Sequence, residues 1–509
     1  MSSTHTLSML IVGLVVGSAM GAESGPITLG DERQLFIDDY VVGSLEGVSK
    51  TLHQPAKHPA NPLLDMVPKG DPAWENGMPL HFSNILFDEE EHRFKMWYSL
   101  HEKGKSDPFA VLAYATSQDG IQWDKPSLGL HKYRGTLDNN VVIPHEGLEC
   151  GIFKDPHETD PAKRFKMLYG NIRAAYSPDG LHWTDYNQGK KVIFHSPGHD
   201  AQTAPYWDER LGKYVAIIRD RLGNISKDRP QLVTDPTARA TWIKLWAYNR
   251  TGRVPENHSI RRVGQVESDD FIHWTPMRTV VAADEADPLN QDQFYNMQVL
   301  VYEGLRIGLM TVYSLDPDYC RGAVQLTYSR DGMHWHRGGN RDVFIPNSDR
   351  PADIDWGQIY PLHAPIVRED EIWIYYTAYT ADHNHTMPPG VAGFPCGICL
   401  AKLRLDGFVS VDAGASEGTL TTKPLVFHGE KLVINADAAS GQLVAELLDA
   451  DGKPIQGFGK RDCDGINTDK IRHTVSWNGN SDLLALAGKV IKVKFYLRET
   501  KLYSFALRN

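Results

Sequence analysis

Apolar residues in this chain come in short runs separated by polar turns, and long stretches with the 3.6-residue period of a helix are few. A short apolar run bounded by turn residues is typical of a β-strand. Similar runs recur at 94–98, 165–169, 214–218, 305–310 and 372–376. Each follows a strand-like segment that ends in an acidic hairpin. The pattern therefore predicts an all-β protein built from five repeats.

A turn motif accompanies these runs. It reads Ser-x-Asp-Gly-x-x-Trp in three copies and Ser-Asp-Asp-Phe-x-x-Trp in another, and a shorter fifth copy occupies 405–408. Asp-Gly favours a tight turn, and the tryptophan can close over the turn and bury its ring between neighbouring sheets. The four full copies end at Trp123, Trp183, Trp274 and Trp335. Four strands in each of five repeats predict a five-bladed β-propeller.

The order of these patterns predicts three regions. Residues 1–22 contain an apolar run followed by small residues, which is typical of a signal peptide, with a membrane anchor as the alternative. The run is too short to span a bilayer comfortably. Residues 23–412 hold the repeats, and the shorter strand-like runs of 418–509 predict a small β-sandwich. We therefore expect a secreted or periplasmic protein with no membrane contact after cleavage of the signal peptide.

Composition excludes several classes of protein. With 53 Lys and Arg against 64 Asp and Glu, the net charge is −11, and no basic run is present, which argues against a nucleic-acid partner. No Gly-x-Ser-x-Gly elbow or glycine-rich nucleotide motif occurs. Five cysteines spread over the chain define no disulfide framework. The Cys396-Gly-Ile-Cys399 spacing falls in a strand-like run, where its two ends point to opposite faces.

Five repeats with Asp-Gly-x-x-Trp turns, followed by a β-sandwich, resemble glycoside hydrolase families 32, 43 and 68, and more loosely the family 130 sugar phosphorylases. The resemblance covers nearly the whole chain after the signal peptide. It implies a carbohydrate-active enzyme, and the narrow central funnel of a five-bladed propeller would admit the ends of polysaccharides or oligosaccharides. Lys154-Asp155-Pro156 resembles the Arg-Asp-Pro motif of family 32, but Asp155 is in register with Asp88 and Asp208 and is expected away from the central funnel.

Candidate catalytic residues follow from position in a propeller, where the starts of the innermost strands surround one central pocket. Glycoside cleavage needs a carboxylic acid that protonates the leaving oxygen and a carboxylate that acts as base or nucleophile. We expect Glu75 to be the nucleophile or base, Asp200 to be the acid or to tune it, and Glu149 to be a second candidate acid. Converging carboxylates raise one another's pKa, which keeps an acid protonated near neutral pH.

The same positions give candidate substrate-binding residues. Those on innermost strands are His81, Gln202, Asp292, Tyr295, Asn296, Asp355, Tyr360 and His363, and those on the adjoining loops are Arg173, Arg219, Arg321 and His383. The arginines suit a glycan with carboxylate or sulfate groups, or else they pair with acids of the pocket. No cofactor is required, although Asp292 and Asp355 could bind calcium instead of substrate hydroxyls.

Three functions remain open from the sequence. The first is an exo-acting glycoside hydrolase. The second is a sugar phosphorylase or lyase on the same fold, and the third is a carbohydrate-binding propeller without activity. All three predict a carbohydrate partner, and the sequence specifies neither the sugar nor the oligomeric state.

Overall fold

The computed structural model describes residues 25–65, 78–101, 110–144, 150–170, 172–194, 203–223, 259–288, 290–291, 293–315 and 318–509. Within these ranges the regular structure is β-strand, with four short 3-10 helices at Pro161–Lys163, Tyr186–Gly189, Gly339–Arg341 and Leu484–Leu486. The predicted all-β class is confirmed. None of the helices in these ranges is long and apolar enough to cross a membrane.

Most strands lie in sheets that follow the sequence repeats. Six short strands come first: β1 (Ile27–Thr28), β2 (Gln34–Leu35), β3 (Val42–Glu46), β4 (Val48–Leu52), β5 (Ala56–Lys57) and β6 (Leu64–Asp65). Sheet 1 is β7 (Met78–Asp88), β8 (Arg93–His101), β9 (Ala110–Ser117) and β10 (Val141–Ile143). Sheet 2 is β11 (Gly151–Lys154), β12 (Phe165–Tyr169), β13 (Arg173–Ser177) and β14 (Thr184–Asp185). Sheet 3 is β15 (Ala204–Asp208), β16 (Lys213–Gly223), β17 (Ser259–Ser268) and β18 (Arg278–Val281).

The next two repeats are joined into one hydrogen-bonded sheet through the parallel pair Gly322 and Gln358. Sheet 4 is β19 (Gln293–Tyr302), β20 (Leu305–Leu315), β21 (Cys320–Ser329), β22 (His336–Arg337) and β23 (Val343–Ile345). Sheet 5 is β24 (Gln358–Pro361), β25 (Ile366–Arg368), β26 (Glu371–Tyr379) and β27 (Cys396–Arg404), and its outer edge is completed by β5 and β6.

The innermost strands link the sheets in a closed series. β7 contacts β11, β11 contacts β15, β15 contacts β19, β19 contacts β24, and β26 of sheet 5 contacts β7 again. Buried aliphatic and aromatic side chains fill the spaces between consecutive sheets. The predicted propeller-like fold is confirmed, and its strand boundaries follow the sequence repeats.

The C-terminal strands form two packed sheets. The strands are β28 (Val409–Ala413), β29 (Gly418–Thr422), β30 (Leu425–Val426), β31 (Lys431–Asp437), β32 (Gln442–Leu448), β33 (Asp469–Thr474), β34 (Lys492–Arg498) and β35 (Thr500–Arg508). Of these, β30 lies outside the two sheets and pairs in parallel with β1. One sheet has the order β33-β31-β35-β28-β4 and the other β3-β29-β34-β32. Strands β3 and β4, which precede the repeats in sequence, therefore belong to the same sheets as residues 409–508. The boundaries 23–412 and 418–509 stay predictions.

The turn motif of sheet 2 docks this repeat on sheet 1. In sheet 2, Ser177 Oγ accepts from the Gly180 amide at 2.8 Å, and Asp179 Oδ1 accepts from the Leu181 amide at 2.8 Å. Trp97 of sheet 1 donates its indole N–H to the Gly180 carbonyl at 2.6 Å. Gly180 has φ of +79°, and a Cβ there would lie 2.4 Å from Trp97 Cζ2. Only glycine allows both this conformation and this close approach.

We expect Gly180→Ala to lower the free energy of unfolding by about 3 kcal/mol, because it combines an unfavourable backbone conformation with a clash against Trp97. Urea unfolding followed by tryptophan fluorescence measures the change. Gly129→Ala is the matched control, since Gly129 also has positive φ, at +67°, but nothing lies within 4 Å of its added Cβ. It should cost about 1 kcal/mol. Equal losses in the two variants would contradict the docking role of this turn.

Candidate functional site

Six polar and aromatic side chains from sheets 3, 4 and 5 meet at one place, which we call the arginine–tyrosine cluster. Its members are Arg219 on β16, Arg261 on β17, Tyr295 on β19, Tyr313 on β20, Tyr360 on β24 and His383 in the loop between β26 and β27. Four of them, Arg219, Tyr295, Tyr360 and His383, are substrate-binding candidates from the sequence. The structure brings these four together.

Arg219 fixes the position of Tyr295. Its Nε and Nη2 donate to the Tyr295 carbonyl at 2.9 and 2.7 Å, and its guanidinium carbon lies 4.3 Å from the centroid of the Tyr295 ring. Only 2% of Arg219 is exposed. A buried guanidinium that binds both the carbonyl and the ring face leaves Tyr295 little conformational freedom.

The three tyrosines and His383 form a connected network. Tyr313 Oη lies 2.8 Å from Tyr360 Oη and 2.7 Å from His383 Nδ1, and Tyr360 donates to Gln358 Oε1. The Tyr295 ring packs 5.1 Å from the Tyr360 ring and 5.3 Å from the Tyr313 ring. Burial raises the pKa of Tyr313 and of Tyr360 well above the usual value, so both hydroxyls stay protonated at neutral pH.

Arg261 adds a half-buried positive charge to this network. Its Nη2 lies 3.4 Å from His383 Nε2, and its guanidinium carbon lies 5.7 and 5.8 Å from the ring centroids of Tyr313 and Tyr295. Its backbone N–H and its Nη1 both approach Gln293 Oε1, at 3.2 and 3.4 Å. Arg261 therefore donates to His383 Nε2, and the guanidinium, held in place by His383 and Gln293, suits an anionic oxygen.

Asp382 positions His383. This fully buried carboxylate accepts three backbone N–H groups: Cys320 at 2.8 Å, Asn384 at 2.9 Å and Thr386 at 2.7 Å. The His383 amide donates to the Cys320 carbonyl at 2.9 Å. The loop that carries His383 is therefore fastened to the start of β21.

Two further candidates, Asn296 and His363, lie where innermost strands lose their regular pairing. The register of β19 against β20 shifts between Phe294 and Met297, so Tyr295 and Asn296 form a bulge. Bulges redirect side chains and are frequent near functional sites. Asn296 is only 5% exposed, and among the described residues neither its Oδ1 nor its Nδ2 has a hydrogen-bond partner. A buried amide without partners is costly, and a bound ligand would relieve that cost.

His363 occupies the corresponding interruption in sheet 5, between β24 and β25. Burial lowers its pKa to about 4, so the imidazole is neutral at neutral pH. A neutral imidazole offers one donor and one acceptor, which matches a sugar hydroxyl.

The lowered pKa of His363 predicts a pH dependence of stability. The unfolded chain has an ordinary histidine pKa of about 6.5, so between about pH 6.5 and 4 it binds a proton that the folded chain does not. The free energy of unfolding should therefore fall as the pH drops through this window, and less steeply in His363→Asn. Chemical denaturation at several pH values measures both slopes. His92→Asn, at an exposed histidine, should keep the wild-type slope.

The other sequence candidates lie elsewhere or outside the described residues. Arg173 lines a cavity between sheets 1 and 2. Arg321 lies 5.2 Å from the ring of Trp356, and Asp355 forms a 2.6 Å ion pair with Lys57. Glu75, Glu149, Asp200, Gln202 and Asp292 lie outside the described residues, as does the side chain of His81, whose backbone is in β7. The three catalytic assignments stay predictions.

The ion pair of Asp355 also bears on the expected calcium contact. Lys57 already neutralises the carboxylate charge that would attract a calcium ion. In the part of the chain that the structure describes, no group of three or more His, Cys, Asp or Glu side chains could hold a metal ion.

Sequence reasoning missed Arg261, Tyr313, Gln358 and Asp382. Tyr313 lies three residues beyond the repeated run at 305–310, near the end of β20, and not at the start of an innermost strand or in a loop, where candidates are expected. Arg261 pairs with Arg221 across β16 and β17. This register depends on how a long connection returns to the sheet, which sequence spacing does not specify.

No protein-family model matches the chain, and no curated protein matches it either. Among solved structures, it is similar to a glycosyl hydrolase from Bacteroides ovatus, with 13% identity, a TM-score of 0.41, and 73% of this chain and 96% of that chain covered. It is also similar to an N-acetylgalactosamine deacetylase from F. plautii in complex with blood group B trisaccharide, with 12% identity, a TM-score of 0.42, and 71% and 96% covered.

A third similar structure is described as showing that the family 130 mannoside phosphorylases contain glycoside hydrolases that target β-1,2 mannosidic linkages in Candida mannan. It has 13% identity and a TM-score of 0.40, with 72% of this chain and 96% of that chain covered. These three structures are glycoside hydrolases or related carbohydrate-active enzymes.

Proposed function

We propose that this protein is a secreted carbohydrate-active enzyme that hydrolyses glycosidic bonds at the ends of glycan chains carrying carboxylate or sulfate groups. The observation that carries the proposal is the arginine–tyrosine cluster together with the unpartnered amide of Asn296. Aromatic faces, neutral hydroxyls and amide groups suit the CH faces and hydroxyls of a sugar, and Arg261 beside His383 suits an anionic substituent.

The chemistry would come from the three carboxylates that the sequence predicts. Glu75 would act as nucleophile or base, and Asp200 or Glu149 would protonate the leaving oxygen. The described residues would hold the terminal sugar. Tyr295 would contact its ring face, Asn296 would exchange hydrogen bonds with a hydroxyl, and Arg261 would bind the anionic group. Because the buried hydroxyls of Tyr313 and Tyr360 stay protonated, they support the cluster without adding negative charge next to the anionic group.

Phosphorolysis is a second candidate, because a guanidinium beside an imidazole also suits inorganic phosphate. A lyase is a third, since the same donors can neutralise the carboxylate of a uronic acid. The three reactions have different co-substrates or products. Hydrolysis needs only water, phosphorolysis needs phosphate and releases a sugar phosphate, and elimination leaves an unsaturated sugar that absorbs in the ultraviolet.

The test follows the release of reducing ends by purified protein from acidic and neutral polysaccharides, with and without phosphate, while ultraviolet absorbance is recorded. We expect phosphate-independent release from an acidic glycan, lowered by about 100-fold or more in Glu75→Gln and Asp200→Asn. Unchanged activity in both variants would overturn the catalytic assignment. Binding of a glycan without any turnover would instead identify a binding protein.

A further inference from the structure

A cavity of about 400 Å³ lies between sheets 1 and 2, lined by residues from β10, β12, β13, β14 and the turn before β14. We call it the intersheet cavity. The members that matter here are Met167, Tyr169, Arg173, Ala175, Trp183 and Asp185. None of them belongs to the arginine–tyrosine cluster. The volume is in the range of pockets that bind small molecules.

Trp183 differs from Trp123 and Trp274, two other tryptophans of the turn motif, in its surroundings. Trp123 packs on Phe94 and Tyr375, with ring centroids 6.5 and 6.3 Å away, and Trp274 packs 5.4 Å from Phe271. No aromatic ring among the described residues packs on the half-buried Trp183, whose indole N–H donates to the Gly180 carbonyl at 3.0 Å. This hydrogen bond therefore holds the N–H edge of the indole, and the ring lines the cavity.

The polar side chains that line the cavity contact one another. The Arg173 guanidinium carbon lies 4.7 Å from the centroid of the Tyr169 ring, and Tyr169 donates its hydroxyl to Asp185. Met167 and Ala175, both at most 1% exposed, supply an apolar wall. A tryptophan face, an apolar wall, a guanidinium and a carboxylate in one cavity match a saccharide unit, which has an apolar CH face and a rim of hydroxyls.

We propose that the intersheet cavity is a second carbohydrate-binding site, without catalysis, in which a sugar unit packs on Trp183 and hydrogen-bonds to Arg173 and Asp185. Such a site would hold a glycan chain at a place other than the arginine–tyrosine cluster, so it would strengthen binding to polymers through a second attachment. The readout of binding is independent of turnover, and the proposal stands or falls separately from the proposed hydrolysis.

Native gel electrophoresis through gels containing xylan, galactomannan, arabinogalactan, polygalacturonate or carrageenan tests this site. We expect at least one of these polysaccharides to retard the wild type, with binding weakened about tenfold in Trp183→Ala and in Arg173→Gln. Trp335→Ala is the matched control, because Trp335 ends another copy of the turn motif and donates to Gln265 instead of lining this cavity. It should be retarded like the wild type.

Arg173→Gln leaves the turn sequence intact, so loss of binding in that variant does not depend on the folding of Trp183→Ala. Wild-type protein that passes unretarded through all five gels would overturn the proposal. So would variants of Trp183 and Arg173 that bind like the wild type, or retardation that disappears only in Arg261→Gln, which would place all binding at the arginine–tyrosine cluster.

Discussion

Asp208→Ala is expected to lower the free energy of unfolding by about 3–5 kcal/mol, because it leaves Arg306 as a buried cation without its counter-ion. Arg306 Nε donates to Asp208 Oδ2 at 2.7 Å, and a second guanidinium nitrogen contacts Oδ1. The two side chains are 1% and 0% exposed. Since Asp208 ends β15 and Arg306 is in β20, the loss should fall on the packing of sheet 3 against sheet 4. Urea unfolding measures it.

Two further variants separate loss of the ion pair from loss of packing. Asp269→Ala removes an exposed carboxylate 3.8 Å from Lys213 and should change stability by less than about 0.5 kcal/mol. The double variant Asp208→Leu with Arg306→Met replaces both ions by apolar groups and should be more stable than Asp208→Ala. If Asp208→Ala is as stable as Asp269→Ala, the ion pair of Asp208 and Arg306 does not hold the sheets together.

The second large effect concerns Arg261. If it binds the anionic group of the substrate, Arg261→Gln should lower kcat/KM on an acidic glycan by about 100-fold, equivalent to about 2.7 kcal/mol. Steady-state kinetics measure the change. On the same glycan after chemical neutralisation of its acidic groups, the variant and the wild type should differ little.

Arg262→Gln is the matched control for Arg261. The two residues are neighbours in β17, where successive side chains point to opposite faces, and Arg262 pairs with Asp220 at 2.8 Å. Arg262→Gln should keep wild-type kinetics on the acidic glycan. A loss in Arg261→Gln that is as large on the neutralised glycan would contradict recognition of an anionic group and point to general disruption of the cluster.

Local patterns in the sequence were sufficient to predict the fold class, because each repeat combines a buried strand with a turn whose hydrogen-bonding residues are close together in sequence. Ser177, Asp179 and Gly180 hydrogen-bond within the motif itself, as that chemistry requires. The position of Asp155 within its repeat was predictable from the sequence in the same way. It is 4% exposed, lies after β11, pairs with Lys166 at 2.8 Å and accepts from Tyr214 at 2.7 Å.

The site depended on contacts that no local pattern contains. Tyr313 and His383 are 70 residues apart in sequence, and their hydrogen bond exists because sheets 4 and 5 are neighbours. The unpartnered amide of Asn296 results from a bulge, which is a matter of register between two strands. Position in the repeat still selected Arg219, Tyr295, Tyr360 and His383, since residues at the same end of each sheet converge when the sheets are arranged around one axis.

The strands at the start of the chain have a consequence for the order of assembly. β3 and β4 pair with β29 and β28, and β5 and β6 pair with β27. Each of these early strands therefore pairs with a strand at least 300 residues later in the sequence. During synthesis, this segment precedes its partner strands and must remain unpaired until they are present. Such distant pairing slows folding and leaves strand edges open meanwhile. A shortened chain that ends before β28 would therefore leave β3 and β4 without these partners.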